Sequence, residues 1–194
     1  MARPEPLESL LGRVRACRLC EGDLGHPARP VLQFAAEARI LIAGQAPGRR
    51  VHESGIPFDD PSGIRLRDWL GVDEERFRDP ARFAILPLGF CFPGSGSGGD
   101  LAPRPECAAT WRHALLARLE HVELTLVLGR HALGWHLPGI GSLTEGVRDW
   151  ERGLARGVLV LPHPSPRNRA WFARHPWFEA ETVPALRARV AAVL

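Results

Sequence analysis

Lysine is absent from this chain of 194 residues, so all 25 of its basic side chains are arginine. The loop that cradles phosphates in many nucleotide-binding enzymes needs a lysine, which disfavours phosphoryl transfer by that route. No apolar run approaches the roughly 18 residues of a membrane span. The first residues, Met1–Glu5, contain no apolar segment of the kind a secretory signal requires. We therefore expect a cytoplasmic protein with no membrane partner.

Cysteine is also scarce, with four residues, and asparagine occurs once, at Asn168. Without a secretory signal, four cysteines argue against a disulfide framework and favour metal binding or free thiols. The net charge of +3 and the pI near 9.0 permit an anionic partner without requiring one. The length fits one domain, 1–194, which we expect to be a monomer.

Four short and nearly continuous apolar segments predict buried strands, since such segments are typical of a parallel sheet covered on both faces. Apolar side chains at helical spacing lie between and around them, and a further helix is predicted over 62–70, before Gly71. Strands that alternate with helices predict an α/β fold, a three-layer α/β/α sandwich with a central, mostly parallel four-stranded sheet. The predicted strands are 39–43, 83–88, 122–128 and 158–161, and the helical stripes are 7–14, 107–119 and 186–194.

Glycine, proline, arginine or histidine follows each predicted strand. Ligands of open parallel sheets bind beyond the carboxyl ends of the strands, so these segments predict a site at one edge of the sheet. A glycine-rich stretch, 93–100, is predicted to be a loop within the domain. The segments after the strands are 44–50, 89–93, 129–131 and 162–168.

Two of these segments resemble the motifs of a known family. The sequence GQAPG at 44–48 follows the first strand, and PHPSP at 162–166 follows the last. In this order they resemble the uracil-DNA glycosylase superfamily, and GIPFDDPSG at 55–63 resembles the family segment whose aromatic residue stacks on an extruded base. The resemblance covers about residues 17–178 and is closest to the bacterial and archaeal branch that carries an iron–sulfur cluster.

The resemblance implies a nucleoid-associated DNA glycosylase that excises uracil or another deaminated base flipped out of DNA. His163 would donate a hydrogen bond to the base oxygen on which negative charge develops. From its own chemistry, the Gln45 side chain can orient the attacking water but cannot deprotonate it. Phe58 would stack on the flipped base. The two turns would hold the nucleotide and its phosphates through Gly44, Ala46, Pro47, Gly48 and Ser165.

A basic segment follows the second motif, and the resemblance places it against DNA. Arg167 would fill the space in the stack or bind a phosphate, with Asn168 and Arg169 beside it. Arg174 belongs to the same stretch. The interleaved aromatic residues either contact DNA or pack in the core, and they are Trp171, Trp177 and Phe178.

The four cysteines follow the spacing of the iron–sulfur branch. Cys17 and Cys20 form a C-x2-C pair, and 15 residues separate Cys91 from Cys107. The resemblance therefore implies a 4Fe-4S cluster held by four thiolates, with zinc on the same thiolates as the alternative. The cluster would tie the N-terminal helix to the segment 91–107.

The sequence departs from the family pattern at two points. Ala46 stands where some branches carry an Asp or Asn that orients water, although the iron–sulfur branch also has alanine there. The segment 86–90 lacks the Asn with which the family reads the edge of uracil. Other local candidates for the water-orienting group are His52, Glu53, Asp59 and Asp60.

These departures keep other functions open. One is a non-catalytic or altered-specificity protein of the same fold that binds DNA lesions. Another is a small nucleotide-processing α/β enzyme, and a third is an electron-transfer protein that uses the cluster. Cleavage of a damaged oligonucleotide would distinguish the glycosylase from all three.

Overall fold

A central parallel sheet organises the chain, as the sequence predicted. The computed structural model describes residues 5–194, and residues 1–4 of the predicted domain lie outside the described part. The strands are β1 Ile40–Ala43, β2 Phe83–Ile85, β3 Ser95–Gly96, β4 Gly99–Asp100, β5 Leu124–Leu128 and β6 Val158–Leu161. Four of them form the main sheet in the order β2-β1-β5-β6, with every neighbouring pair parallel.

Three observed strands are shorter than predicted, and strand β1 begins at Ile40 instead of residue 39. Strand β2 ends at Ile85 instead of residue 88, although the N–H groups of Leu86 and Leu88 still donate to the carbonyl oxygens of Ile42 and Gly44. Strand β5 begins at Leu124 instead of residue 122. The apolar residues beyond the strand ends are still part of the core region, which is why apolar character alone overestimates strand length.

The glycine-rich stretch predicted as a loop contains a small hairpin. Strands β3 and β4 pair antiparallel, with Ser95 opposite Asp100 and Gly96 opposite Gly99. Gly99 has a φ of 127°, in the region that favours glycine, and this conformation allows the tight reversal. Asp100 is the last residue of the hairpin and directly precedes Leu101.

Helices flank the sheet at the predicted positions. A π-helical turn, Ala108–Arg112, joins α6 (Pro105–Cys107) to α7 (His113–Leu116), and another, Phe178–Thr182, leads into α12 (Val183–Val193). Gly71, with a φ of 67°, ends α4 (Pro61–Leu70) as predicted. The helices are α1 Leu7–Arg15, α2 Glu21–Leu24, α3 Arg49–Ser54, α4 Pro61–Leu70, α5 Glu74–Arg78, α6 Pro105–Cys107, α7 His113–Leu116, α8 Gly129–His136, α9 Leu143–Arg148, α10 Trp150–Ala155, α11 Arg169–Arg174 and α12 Val183–Val193.

The core lies on both faces of the sheet, which confirms the three-layer α/β/α sandwich. Strand β1 shows the alternation most clearly, because Ile40 and Ile42 join one core cluster while Leu41 joins the other. Helices α4, α8, α9 and α12 contribute to the first cluster. Helix α1 and the continuous helix from α6 to α7 contribute to the second.

No helix within residues 5–194 has the length and apolar character needed to cross a bilayer.

Candidate active site

A cavity of about 420 Å³ opens at the carboxyl edge of the main sheet. Both family-like turns line it, and so does the segment between them. The cavity also reaches Pro87, just after β2, whereas the predicted segments 89–93 and 129–131 do not line it. The lining residues are Val31, Gly44, Gln45, Ala46, Pro47, Gly48, Arg49, Arg50, Val51, Pro57, Phe58, Asp60, Pro61, Ser62, Ile85, Pro87, Ser95, Asp100, His163, Ser165 and Arg167.

His163 lies in the turn after β6, and its ring is fixed by the backbone around it. The N–H of Ser165 donates to Nδ1 of His163 over 3.2 Å. The side-chain amide of Asn168 donates to the His163 carbonyl oxygen over 2.7 Å. Since Nδ1 accepts a hydrogen bond, the neutral ring carries its proton on Nε2 and can donate from there.

The electrostatic surroundings keep this ring neutral. Burial lowers the pKa of His163 below its ordinary value, while the carboxylates of Asp60 and Asp100 act in the opposite direction. A buried imidazole loses the hydration that stabilises its charged form, so the neutral donor prevails near pH 7. The ring can therefore stabilise an oxygen that becomes negative without delivering a full positive charge.

The turn after β1 is held to neighbouring segments on two sides. The carbonyl oxygens of Gly44 and Gln45 accept the N–H groups of Leu88 and Gly89, each over 3.0 Å. The side-chain amide of Gln45 donates to the Leu101 carbonyl oxygen over 2.9 Å. Gln45 thus joins the turn to the segment directly after the hairpin.

Phe58 lines the cavity in a strained conformation. Its φ of 55° makes it the one non-glycine residue with positive φ in the described chain. Such backbone strain costs about 1–3 kcal/mol and tends to occur at functional sites. The half-buried ring packs edge-on against Phe77, with 6.0 Å between ring centroids. Phe58 therefore both contacts the core and forms a wall of the cavity.

The conformation of Phe58 depends on Gly63 in the first turn of α4. A Cβ placed on Gly63 would lie 1.9 Å from the carbonyl oxygen of Phe58. We expect Gly63→Ala to lower the free energy of unfolding by about 1–3 kcal/mol, because the backbone must move to relieve this overlap. Urea unfolding measures the effect.

The matched control is Gly12→Ala, in α1, where nothing lies within 4 Å of an added Cβ. We expect this variant to be unchanged or up to about 1 kcal/mol more stable, since alanine favours helix. Equal unfolding midpoints for the two variants would contradict the close contact between Gly63 and Phe58.

The basic segment after His163 is only partly at the cavity. Arg167 lines it and approaches the hairpin so closely that a Cβ on Gly99 would lie 2.5 Å from Nη1 of Arg167. Asn168 supports the His163 turn, and Arg169 is exposed outside the lining. Of the other acidic and histidine candidates, Asp60 lines the cavity, whereas His52, Glu53 and Asp59 do not.

The aromatic residues after this segment are core contacts. Phe178 is fully buried, and Trp171 and Trp177 pack against the same core cluster. The indole N–H of Trp171 donates to Oγ1 of Thr144 over 3.0 Å. Of the two alternatives, DNA contact or core packing, the structure shows core packing for these three aromatic side chains. Arg174, in the same stretch, is exposed.

The four cysteine side chains line one small cavity, to which the segment between α1 and α2, the segment after β2, and α6 contribute. The indole N–H of Trp111 lies 3.3 Å from Sγ of Cys17, and the N–H of Phe90 lies 3.3 Å from Sγ of Cys107. Burial raises the pKa of Cys91 to about 11 and that of Cys107 to about 12. Within residues 5–194, no three His, Cys, Asp or Glu side chains converge on a position for a single metal ion.

The sequence analysis missed one acidic group at the cavity, Asp100. It stands at the end of a stretch of glycine and serine, where no periodic pattern or motif marks it. Its place in the site depends on the hairpin, which the sequence did not predict.

The active-site cavity is suited to one nucleobase and much too small for a duplex. DNA glycosylases act on a base that has left the helical stack, and a cavity of about 420 Å³ has room for one such base. The chain belongs to the Uracil DNA glycosylase superfamily, which it matches over residues 32–187. It is also similar to the Type-4 uracil-DNA glycosylase of Thermotoga maritima, with 29% identity over 176 residues that cover 87% of each chain. The resemblance seen in the sequence is thereby confirmed.

Proposed function

We propose that this protein excises uracil, or a related deaminated base, from DNA by hydrolysing the N-glycosidic bond. The observation that carries the proposal is the His163 ring, held neutral at the cavity with Nδ1 occupied by the Ser165 N–H. A neutral donor fixed in this way suits a reaction in which the leaving base departs as an anion.

The reacting nucleotide is held from three sides. Phe58 stacks on the flipped base, a contact worth about 1–3 kcal/mol. His163 donates from Nε2 to the base oxygen that gains charge as the bond to the sugar breaks. The turns at 44–48 and Ser165 hold the sugar and the flanking phosphates, and Gln45 helps to orient water.

Arginine side chains at the cavity suit the DNA backbone. Arg167 lines the cavity next to Ser165, and Arg49 and Arg50 line it from α3. Arg169 extends the same basic surface, whereas Asn168 acts through its hydrogen bond to the His163 carbonyl. We place this action on chromosomal DNA in the cytoplasm, at the nucleoid, by a monomer.

Base recognition differs from that of relatives with an Asn at the cavity. Ile85 and Pro87 line this part of the site, and neither side chain can form hydrogen bonds with a base edge. Hydrogen bonds to the base edge must then come from backbone groups or from other polar side chains of the lining, such as Gln45 and Ser62. This observation favours a second candidate function, an altered-specificity or non-cleaving lesion binder, which the same assay distinguishes.

The test is cleavage of oligonucleotides that carry uracil, hypoxanthine or xanthine, in single and double strands. We expect an abasic product from uracil-containing DNA. Tight binding of a lesion without cleavage would support the second candidate, and cleavage of hypoxanthine or xanthine alone would establish altered specificity. Neither binding nor cleavage of any lesion would overturn both.

We further propose that Cys17, Cys20, Cys91 and Cys107 hold a 4Fe-4S cluster. The residues fit this group because four thiols line one cavity and N–H groups face two of the sulfurs. In such a cluster each thiolate binds a different iron atom, so the ligands need not converge on a single ion as zinc requires. The cluster would connect α1 to the segment 91–107.

Replacing one ligand should remove the metal. We expect the parent protein to contain about four iron atoms per chain and to absorb visible light, and Cys107→Ser to lose most of both. The control is Ala109→Ser, which adds a hydroxyl at an exposed position two residues away. Elemental analysis provides the measurement, and zinc in place of iron in the parent would contradict the cluster.

A further inference from the structure

The proposed hydrolysis needs a group that accepts a proton from water, and Ala46 cannot provide it. The carboxylates that line the cavity are Asp60 and Asp100. Gln45 can hold a water molecule but cannot deprotonate it. The choice therefore falls between two aspartates on different segments.

The side chain of Asp60 caps the helix that follows it, α4. Its Oδ1 accepts the N–H of Gly63 over 2.8 Å and so caps the N-terminus of α4. This hydrogen bond stabilises the helix and the strained segment at Phe58. The Oδ1 atom of Asp60 is therefore already occupied by the helix N-terminus.

Asp100 is placed differently, because one of its oxygens is oriented and the other faces the turn at 44–48. The hydroxyl of Ser95 donates to its Oδ1 over 3.1 Å. A Cβ on Gly48 would lie 3.5 Å from Oδ2, so this oxygen lies directly above the glycine. Asp100 is exposed at the cavity mouth, where a proton can pass on to solvent.

Contacts on both sides hold the hairpin that carries Asp100. Gln45 donates to the carbonyl oxygen of Leu101, the next residue, and the Leu101 N–H donates to Gly94 over 2.9 Å. The Arg167 guanidinium lies against Gly99. Two other segments that line the cavity, 44–48 and 162–168, thus fix the position of one carboxylate.

We infer that Asp100 is the catalytic residue that orients and deprotonates the attacking water, on a hairpin that replaces the acidic side chain missing at Ala46. This inference rests on the proposed glycosylase function. The water oxygen forms a bond to C1′ of the deoxyribose as the bond from C1′ to the base breaks. The electron pair of that bond stays on the base, whose oxygen is stabilised by His163. The proton from water passes to Asp100 and then to solvent or to the released base.

The test compares Asp100→Asn with the parent in single-turnover cleavage of uracil-containing DNA. We expect the rate at saturating enzyme to fall about 100-fold or more, since a general base contributes about 100- to 10,000-fold. The enzyme concentration that gives half the maximal rate should change little, because asparagine keeps the shape and hydrogen bonds of the side chain. Asp100→Glu should recover part of the rate.

The matched control is Asp59→Asn, which removes the same charge from an exposed side chain next to the cavity lining. We expect it to cleave at nearly the parental rate. Parental cleavage by Asp100→Asn would overturn the inference while leaving the glycosylase function intact. An equal loss in both variants would also overturn it, because general electrostatics would then explain the effect. A parent that cleaves no lesion would instead count against the proposed function.

Discussion

His163→Ala should lower the single-turnover rate of base excision by about 100- to 1,000-fold while leaving the affinity for damaged DNA nearly unchanged. One positioned donor to a developing oxyanion is worth about 2.7–4 kcal/mol of transition-state stabilisation, which corresponds to this loss of rate. The base still stacks on Phe58, and the turns still hold the backbone, so binding persists. Rapid-quench cleavage and fluorescence anisotropy measure the two quantities separately.

The control for this variant is His121→Ala, an exposed histidine near the start of β5, at the opposite edge of the sheet. It should cleave like the parent. Comparable cleavage by His163→Ala and the parent would show that the leaving base is stabilised by another group. A loss of binding as large as the loss of rate would show that His163 holds the ground state instead.

The pH dependence of cleavage by the parent tests the protonation state of His163 independently. Burial lowers the pKa of His163 below about 6.5, the ordinary pKa of histidine. The ring therefore gains a proton only at a pH lower than about 6.5. Protonation of Nδ1 would place a proton against the Ser165 N–H and break the contact that orients the ring. We expect the His163-dependent part of the rate to remain constant as the pH falls through 6.5 and to decline only at lower pH.

The sequence predicted the sheet and the two turns because both depend on local patterns. Continuous apolar segments such as 158–161 must be buried on both faces, and a strand followed by glycine or proline brings its turn to the carboxyl edge. The positions of His163 and Phe58 around one cavity follow from that topology together with the family resemblance. Their catalytic roles remain predictions.

Other parts of the site could not be predicted in this way. Asp100 reaches the cavity through a hairpin of glycine and serine, whose sequence has no apolar periodicity to register its strands. The side-chain amide of Gln45 donates to the carbonyl oxygen of Leu101, 56 residues further along the chain, and no motif in the sequence indicates this contact. Contacts of this kind depend on long-range packing, which short sequence patterns do not encode.

Arg112 makes another set of contacts between segments that are distant in the sequence. Its side chain is fully buried beside the cavity. Its guanidinium donates to the carbonyl oxygens of Leu86 and Pro87 over 2.7 and 3.1 Å. It also lies 4.7 Å from the centre of the Trp135 ring. Burial lowers the pKa of Arg112 to about 10, so the side chain remains charged near pH 7. It therefore anchors the segment after β2, where Pro87 lines the cavity.

The third hydrogen-bonding partner of Arg112 is His136, which is neutral near pH 7. Burial, followed by the charge of Arg112, lowers the pKa of His136 to about 4. Its Nε2 therefore accepts from Nη2 of Arg112, over 2.6 Å. Arg112 thus satisfies two backbone acceptors and one side-chain acceptor that would otherwise lie buried without donors.

Arg112→Ala should lower the free energy of unfolding by about 3 kcal/mol or more. Each buried acceptor that loses its donor costs about 1–3 kcal/mol, and the missing side chain leaves a cavity beside Trp135. Loss of the buried charge offsets part of this cost. Urea unfolding measures the change, and Arg15→Ala, at an exposed position in α1, should stay within about 0.5 kcal/mol of the parent. Equal stability of the two variants would mean that water reaches Leu86 and Pro87, and that another contact holds the wall of the active site in place.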